Sequence, residues 1–132
     1  VEQVKEKVEK YGLTPWTRYV GPFMGIEVLY HLSDLWIYCS AYEGLPFGPI
    51  ELQAASVPTL ASDVITKEID LGLGLTHFLS LNESPKVWAQ KACEIKKTQI
   101  DEDMVRAAFI KHRFDIKQSV RSLEDIYRGN VK

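Results

Sequence analysis

A short apolar run that leads into a turn rich in glycine and proline constrains the fold of this chain more than any other feature. The run Leu-Trp-Ile-Tyr-Cys at 35–39 is too short for a buried helix and rich in residues that favour strands, which predicts a strand covered on both faces. Gly44 and Gly48 then permit a tight turn, and Pro49 suits the first turn of a helix, where its missing N–H costs nothing. The stretch therefore predicts a strand, a loop and a helix that begins near Gly48.

The predicted helix start is suited to an anionic ligand. Its free N–H groups and its dipole would face the loop, which favours a group such as a phosphate. Glu43 lies before the loop and Glu51 lies one turn into the helix. Because carboxylates accept hydrogen bonds in pairs, they suit the vicinal hydroxyls of a ribose or a hexose. The sequence therefore indicates a site for phosphate and sugar groups around this turn.

Helices and strands alternate along the rest of the chain. Apolar residues at helical spacing predict helices, and short apolar or alternating runs predict strands. The predicted helices are 1–11, 25–32, a helix after the turn at 82–85, a helix capped by Asp101, and 116–127, and the further predicted strands are 16–20, 58–62 and 77–81. Parallel strands linked by helices form an α/β sheet, so the predicted fold class is α/β. About four strands are few for a doubly wound sheet.

The composition limits the chain to one domain and excludes several partners. At 132 residues it is long enough for one hydrophobic core and short for two. The net charge of −2 implies no nucleic-acid partner, and no apolar run approaches the length of a membrane span. Cys39 and Cys93 fall in a predicted strand and a predicted helix, so we expect buried or half-buried thiols and a cytoplasmic location. We recognise no signal peptide, and a first residue of Val1 instead of Met leads us to expect a fragment or a trimmed chain.

The residues from Asp34 to Asp63 resemble the donor-binding signature of retaining glycosyltransferases with the GT-B fold. The likeness lies in Glu-Gly-Leu-Pro at 43–46 followed by Glu51, and it is closer to the bacterial capsular and exopolysaccharide transferases. It extends to 65–68, to 78–81 with Trp88, and to 114–116 with Tyr127. The resemblance therefore covers most of the chain.

The resemblance implies a Rossmann-like parallel sheet that forms part of a GT-B C-terminal domain. Residues 1–132 would be a single, incomplete nucleotide-sugar-binding domain, which lacks the family's first two strands, a glycine-rich turn, basic residues that neutralise the diphosphate, and the acceptor domain. In the usual strand order 3-2-1-4-5-6, the strand at 16–20 is the third, and the missing pair leaves a gap beside it. Because unpaired strand edges associate, we expect that strand three pairs beside strand four or that the chain dimerises.

The resemblance also implies roles for the residues around the turn. Glu43, in the catalytic position, would contact the hydroxyls of the donor sugar, Glu51 would hold the ribose, and amides between them would bind the diphosphate. The donor-binding residues implied in this way are Glu43, Gly44, Leu45, Pro46, Phe47, Gly48, Ile50, Glu51, Gly21 and Ser40. Two alternatives stay open: Gly21 could lie in a plain turn, and Ser40 could have a role without ligand contact. Leu52 and Ser56 depart from the family's usual Ala and Gly, which bears on packing more than on ligand chemistry.

Neither a metal nor another cofactor is expected. The run Asp-Glu-Asp at 101–103 mimics the Asp-x-Asp metal motif of another glycosyltransferase fold, but it opens a predicted helix, where acids favour the positive end of the dipole. His31, His77 and His112 show no ligand spacing with one another or with the cysteines. We therefore expect the acids at 101–103 to stabilise a helix start and the three histidines to be ordinary packed or surface residues.

Two hypotheses about function follow. The first is the donor-binding part of a glycosyltransferase that moves a hexose from a nucleotide-sugar, expected to be a UDP-sugar, to a glycan or lipid-linked acceptor with retention. Since the neutralising basic residues are absent, we expect weak nucleotide binding and little or no turnover from this chain alone. The alternative is a non-catalytic Rossmann-like interaction module derived from such an enzyme. The sequence does not identify the sugar, the base or the acceptor.

Expected partners other than the nucleotide-sugar are the missing N-terminal part or a second copy of the chain. Lys111, His112, Arg113 and Lys117 could contact anionic lipid at the inner face of the membrane. A solvated helix face is the simpler interpretation of these charges.

Overall fold

The computed structural model describes residues 1–22 and 24–130 and has a mixed α/β architecture. The α-helices are α1 (Glu2–Lys10), α2 (Ile26–Leu32), α3 (Phe47–Ala54), α4 (Pro85–Glu94), α5 (Glu102–Lys111) and α6 (Ile116–Tyr127). The strands are β1 (Trp36–Tyr38), β2 (Thr59–Ser62) and β3 (Thr76–Leu79). Single 3-10 turns lie at Thr14–Trp16 and Lys67–Ile69. This alternation confirms the predicted α/β fold class.

The three strands form one parallel sheet in the order β1-β2-β3. Trp36 of β1 is opposite Thr59 of β2, which is in turn opposite Thr76 of β3. Parallel strands that neighbour one another in chain order, each reached by a crossover, form one half of a Rossmann-like sheet. The observed order therefore agrees with the expected strands four, five and six.

Helix α3 contributes to both hydrophobic clusters of the core. Its residue Ile50 packs in one cluster, whose buried members are Ile50, Ala61, Ile65, Ile69, Leu71 and Ala108. Its residue Leu52 packs with Tyr30 and Val57 in the other cluster. Because both clusters hold the helix, the start of α3 has a fixed position relative to the sheet. The burial of Leu52 also explains its presence where the resembled family usually has Ala, since the larger side chain fills the second cluster.

The end of α3 is a Schellman motif built around Ser56. The N–H of Val57 donates to the carbonyl of Leu52 at 2.9 Å, and the N–H of Ser56 donates to the carbonyl of Gln53 at 3.2 Å. Ser56 has φ +54°, a left-handed conformation that glycine adopts at lower cost. Its hydroxyl accepts a hydrogen bond from the N–H of Ile100 at 3.3 Å, which offsets part of that strain.

The predicted strand at 16–20 is wrong. The segment begins with the 3-10 turn at Thr14–Trp16 and continues without strand pairing, and Trp16 is 88% exposed. Alternating residues favour a strand only where a neighbouring strand accepts their backbone hydrogen bonds, and the pattern carries no information about that neighbour. The described sheet therefore has three strands instead of four, and the expected pairing of strand three beside strand four does not occur in it. Dimerisation stays a prediction.

Two expectations about burial are also wrong. Ile37 of β1 is 53% exposed, so the face of β1 on which it lies is open to solvent instead of covered. Both Cys39 and Cys93 are exposed thiols. Cys39 lies one residue beyond β1, in the loop, and Cys93 lies on the outward side of α4. Thiol burial therefore provides no argument for a reducing compartment.

Candidate functional site

Helix α3 begins directly after the loop at 39–46, which confirms the predicted helix start near Gly48. Pro46 precedes the helix with φ −74° and ψ 123°, and within the described part of the chain no side-chain hydrogen bond caps this end. The first-turn N–H groups of Phe47 and Gly48 therefore face the loop without a side-chain acceptor. Such N–H groups, together with the helix dipole, can hold an anionic group.

Tyr30 of α2 lies beside the start of α3. A Cβ atom at Gly48 would be 3.8 Å from Tyr30 Oη, an ordinary contact distance, so the phenol hydroxyl borders the first turn. The same hydroxyl donates a hydrogen bond to Glu51 Oε2 at 2.9 Å. Tyr30 thus joins α2 to the first turn of α3 and to the carboxylate that follows it.

Burial and the Glu51 carboxylate together raise the pKa of Tyr30 to about 12. Burial acts first, since the phenolate would lose hydration, and the hydrogen bond to Glu51 adds to it, since a phenolate could not donate that bond. Tyr30 therefore stays a neutral donor at physiological pH. Glu51 itself is exposed, so its second oxygen, Oε1, can accept a hydrogen bond from a ligand.

Glu51 lies on an open groove of about 350 Å³ between α2, α3 and α5. The lining residues are Ile26, Glu27, Tyr30, His31, Glu51, Ala54, Ala55 and Phe109. Most of this surface is apolar, and its polar side chains are those of the tyrosine, the histidine and the two glutamates. The groove can therefore accept an apolar group that also carries hydrogen-bonding groups.

Glu43 is held by two hydroxyl groups from the end of β1. Tyr38 Oη donates to Glu43 Oε1 at 3.0 Å, and Ser40 Oγ donates to the same oxygen at 2.8 Å. Ser62, at the end of β2, donates in turn to the carbonyl of Ser40. Glu43 is thereby oriented at the carboxyl ends of two parallel strands, where open α/β sheets bind their ligands.

Both hydroxyl donors act on one oxygen of Glu43, so its other oxygen, Oε2, can accept from a ligand. Burial first, and then the hydrogen bond to Glu43 and its charge, raise the pKa of Tyr38. Each carboxylate that brackets the loop is thus oriented by its own tyrosine.

Of the two carboxylates, Glu51 lines the groove described above, and Glu43 is not among the described residues that line it. The structure therefore places the two acids on either side of the start of α3, in agreement with the sequence spacing, without showing a cleft that both of them face.

The other predicted site residues divide into backbone and surface positions. Ile50 is buried in the core, and its N–H is the first of α3 to have an intrahelical acceptor, the carbonyl of Pro46. Gly44, Leu45 and Phe47 are exposed, whereas Pro46 is buried. Gly21 lies in the segment before α2 with φ +65°, beside Tyr19, and its role in binding stays a prediction. The structure thus brings Ser40 into contact with Glu43.

Three side chains that organise this site were missed by the sequence reasoning. Tyr30 is 21 residues from the acid that it contacts, and no local spacing indicates such a contact. Tyr38 lies in an apolar run whose pattern predicts only a strand, although a tyrosine at the carboxyl end of a strand is a usable signal. Gln53 is fully buried and makes three hydrogen bonds, to the carbonyls of Pro49 and Ile69 and from the N–H of Leu71.

The acidic run at 101–103 has the structural role that was predicted. Asp101 Oδ1 accepts hydrogen bonds from the N–H groups of Asp103 and Met104 and so caps α5. Across residues 1–22 and 24–130, no group of three or more His, Cys, Asp or Glu residues is arranged to hold a metal ion. No helix in these ranges is long and apolar enough to cross a membrane.

Comparisons with known proteins find sequence similarity to proteins named as glycosyltransferases. No protein-family model matches the chain. Over 126 residues, or 95% of the chain, it is 29% identical to EpsF of Bacillus subtilis (strain 168), whose name carries a provisional assignment as a glycosyltransferase. Over 62 residues, or 47% of the chain, it is 36% identical to the lipopolysaccharide core biosynthesis mannosyltransferase LpsB of Rhizobium meliloti (strain 1021). The matches span 33% and 18% of the length of these relatives. The chain is thus similar to proteins named as glycosyltransferases, in the first case over most of its own length, and it spans a minor part of theirs.

Proposed function

We propose that this chain is the donor-binding part of a retaining GT-B glycosyltransferase, within its C-terminal domain. The enzyme would transfer a hexose from a nucleotide-sugar to a glycan or lipid-linked acceptor during polysaccharide biosynthesis. One observation carries the proposal: two carboxylates, each oriented by a tyrosine, flank the uncapped start of α3 at the carboxyl edge of a parallel sheet. The similarity to named glycosyltransferases supports it independently.

Each part of the site would bind a different part of the donor. The diphosphate would accept hydrogen bonds from the free N–H groups of Phe47 and Gly48, whereas Pro49 has none to donate and the N–H of Ile50 donates to the carbonyl of Pro46 within the helix. Glu51 would accept from the ribose hydroxyls through Oε1, because Tyr30 already donates to Oε2. Glu43 would accept from a hydroxyl of the transferred sugar through Oε2, because its other oxygen receives two hydroxyl donors.

The chemical contribution of this part would be electrostatic. The diphosphate leaving group gains negative charge as the glycosidic bond breaks, and preorganised N–H groups aimed at that charge lower the barrier. The helix start supplies such groups, while the basic residues that complete the charge balance in the resembled family would come from outside this chain. We therefore propose that the 132-residue chain binds a UDP-sugar weakly, without a metal, and has little turnover alone. A cytoplasmic location, where nucleotide-sugars are available, belongs to the same proposal.

A non-catalytic interaction module is the second candidate. It is favoured by the separation of the two carboxylates, since Glu43 does not share the groove that Glu51 lines. In such a module the Tyr–Glu hydrogen bonds would serve only to join α2 and β1 to the 39–51 segment. UDP would then have no binding site on the chain.

Calorimetric titration of UDP into the chain distinguishes the two functions. We expect weak, saturable binding that Glu51→Gln reduces about 10-fold or more, since a charge-assisted hydrogen bond contributes roughly 1.5–3 kcal/mol. Glu83→Gln is the matched control, because Glu83 is also exposed but lies in the turn before α4. Absence of binding at millimolar UDP, or equal losses in the two variants, would contradict the enzyme proposal and favour the module.

A further inference from the structure

Helix α2, which carries Tyr30, is short and depends on other parts of the chain for its position. It spans 7 residues, and the residue before it is Gly25, which has no side chain to cap the helix. An isolated helix of this length is marginal in water. At the other end, Ser33 Oγ donates to the carbonyl of Leu29 at 2.6 Å, and the carbonyls that follow need further donors.

Lys97 supplies such donors from the loop between α4 and α5. Its Nζ atom donates to the carbonyl of His31 at 3.1 Å and to the carbonyl of Ser33 at 2.7 Å. His31 is the residue directly after Tyr30. A cation at the C-terminus of a helix is stabilising, because the carbonyl ends of the peptide dipoles face it. Since Lys97 is exposed, its side chain acts through these two bonds more than through burial.

The same loop also contacts the end of α3. The N–H of Ile100 donates to Ser56 Oγ at 3.3 Å. Ile100 and Ser56 line a second groove, of about 360 Å³, together with His31 at the end of α2. The loop between α4 and α5 thus joins the C-terminal ends of α2 and α3. Because these helices carry Tyr30 and Glu51, the loop helps to set the position of one side chain relative to the other.

We propose that Lys97 is a positioning residue for the carboxylate of Glu51. By holding the end of α2, it keeps the Tyr30 hydroxyl 2.9 Å from Glu51 Oε2, which leaves Oε1 for a ligand. A carboxylate that is already oriented loses less side-chain freedom when it binds. The inference rests on the proposed function for the contact between Glu51 and the ribose, whereas the link from Lys97 to Tyr30 needs no nucleotide.

Calorimetric titration of UDP into the whole 132-residue chain tests the role of Lys97. We expect Lys97→Met to weaken UDP binding about 5-fold, in line with the effect of a cation at a helix end. Lys97→Arg should stay within about 2-fold of the wild type, because a guanidinium can also donate to both carbonyls. The matched control is Lys96→Met, since Lys96 is the neighbouring lysine and is also exposed, and it should leave the affinity unchanged. In a Tyr30→Phe background, Lys97→Met should cause no further loss, because it acts through the phenol.

The nuclear magnetic resonance signal of Tyr30 Cζ provides a second measurement, which needs no ligand. If Lys97 keeps the Tyr30 hydroxyl on the carboxylate, this signal in Lys97→Met should move toward the position that it has in Glu51→Gln. It should stay in place in Lys96→Met. If UDP does not bind to the wild type, the donor-site proposal fails, and the Tyr30 signal alone decides the role of Lys97.

Several results would overturn the proposal. One is a Tyr30 Cζ signal that Lys97→Met leaves where it is in the wild type. Another is a loss of UDP affinity that Lys97→Met causes undiminished in the Tyr30→Phe background, or that Lys97→Arg causes to the same extent. A lower free energy of urea unfolding in Lys97→Met, with both the UDP affinity and the Tyr30 signal unchanged, would limit Lys97 to a structural role and would overturn it as well.

Discussion

Replacement of Gln53 by Met is expected to destabilise the domain by about 3 kcal/mol. The side chain is fully buried, donates to the carbonyls of Pro49 and Ile69 at 3.0 and 2.7 Å, and accepts from the N–H of Leu71 at 3.1 Å. Each hydrogen bond contributes roughly 0.5–1.5 kcal/mol, and Met keeps the approximate shape while leaving the buried N–H of Leu71 without this acceptor. The loss is a large part of the roughly 5–15 kcal/mol that a domain has in total.

Urea unfolding followed by tryptophan fluorescence measures this loss. Trp36 is a suitable reporter, because its ring packs edge to face on Tyr30 with centroids 5.0 Å apart, next to α3. Gln90→Met, at an exposed position of α4, is the matched control and should change the free energy of unfolding by less than about 0.5 kcal/mol. If Gln53→Met cost no more than Gln90→Met, the claim that Gln53 holds α3 to the 66–71 segment would be refuted.

Three further predictions concern single side chains around α3. The pKa of Tyr30 is raised to about 12 from an ordinary value of 10.0, so its ionisation favours unfolding. Its stabilising effect is therefore complete below pH 10 and is lost as the pH rises toward 12. The free energies of urea unfolding of the wild type and of Tyr30→Phe should converge over that interval, and an unchanged difference between them would contradict the prediction. Ser56→Ala should destabilise the domain by about 1–2 kcal/mol in the same assay, since it keeps the left-handed strain and loses the hydroxyl acceptor. Ser56→Gly should have a free energy of unfolding within about 0.5 kcal/mol of the wild type. Equal effects of the two substitutions would exclude a strain argument. Tyr38→Phe removes one of the two donors that orient Glu43. Calorimetry should therefore show that the affinity for UDP-glucose falls several-fold while the affinity for UDP is unchanged. Equal losses of affinity for both ligands would argue against a sugar contact at Glu43.

The strand, loop and helix around residues 35–54 could be predicted because the signals are local. A short apolar run, two glycines and a proline in the first helical turn act over a few residues, and the structure has β1, a loop and α3 in those places. The positions of both carboxylates relative to the helix start follow from the same local pattern. This part of the candidate site was therefore accessible from the sequence.

The rest depended on tertiary contacts that a local pattern does not encode. The segment 16–20 alternates like a strand but has no paired neighbour, so it remains irregular. Tyr30 reaches its acid across 21 positions, and Lys97 donates to the carbonyls of His31 and Ser33 at the end of α2 from more than 60 positions away. Such contacts depend on how α2 packs against its neighbours, and only the structure shows them.

Amide chemical shifts during titration with UDP test the central claim most directly. If the start of α3 holds the diphosphate between the two carboxylates, the N–H signals of Phe47, Gly48 and Ile50 should shift together, with one apparent Kd, and Glu51→Gln should weaken that Kd. Signals in α6 should stay unchanged in the same titration. Saturating shifts that avoid the first turn of α3, or no shifts at all, would contradict the assignment of this site.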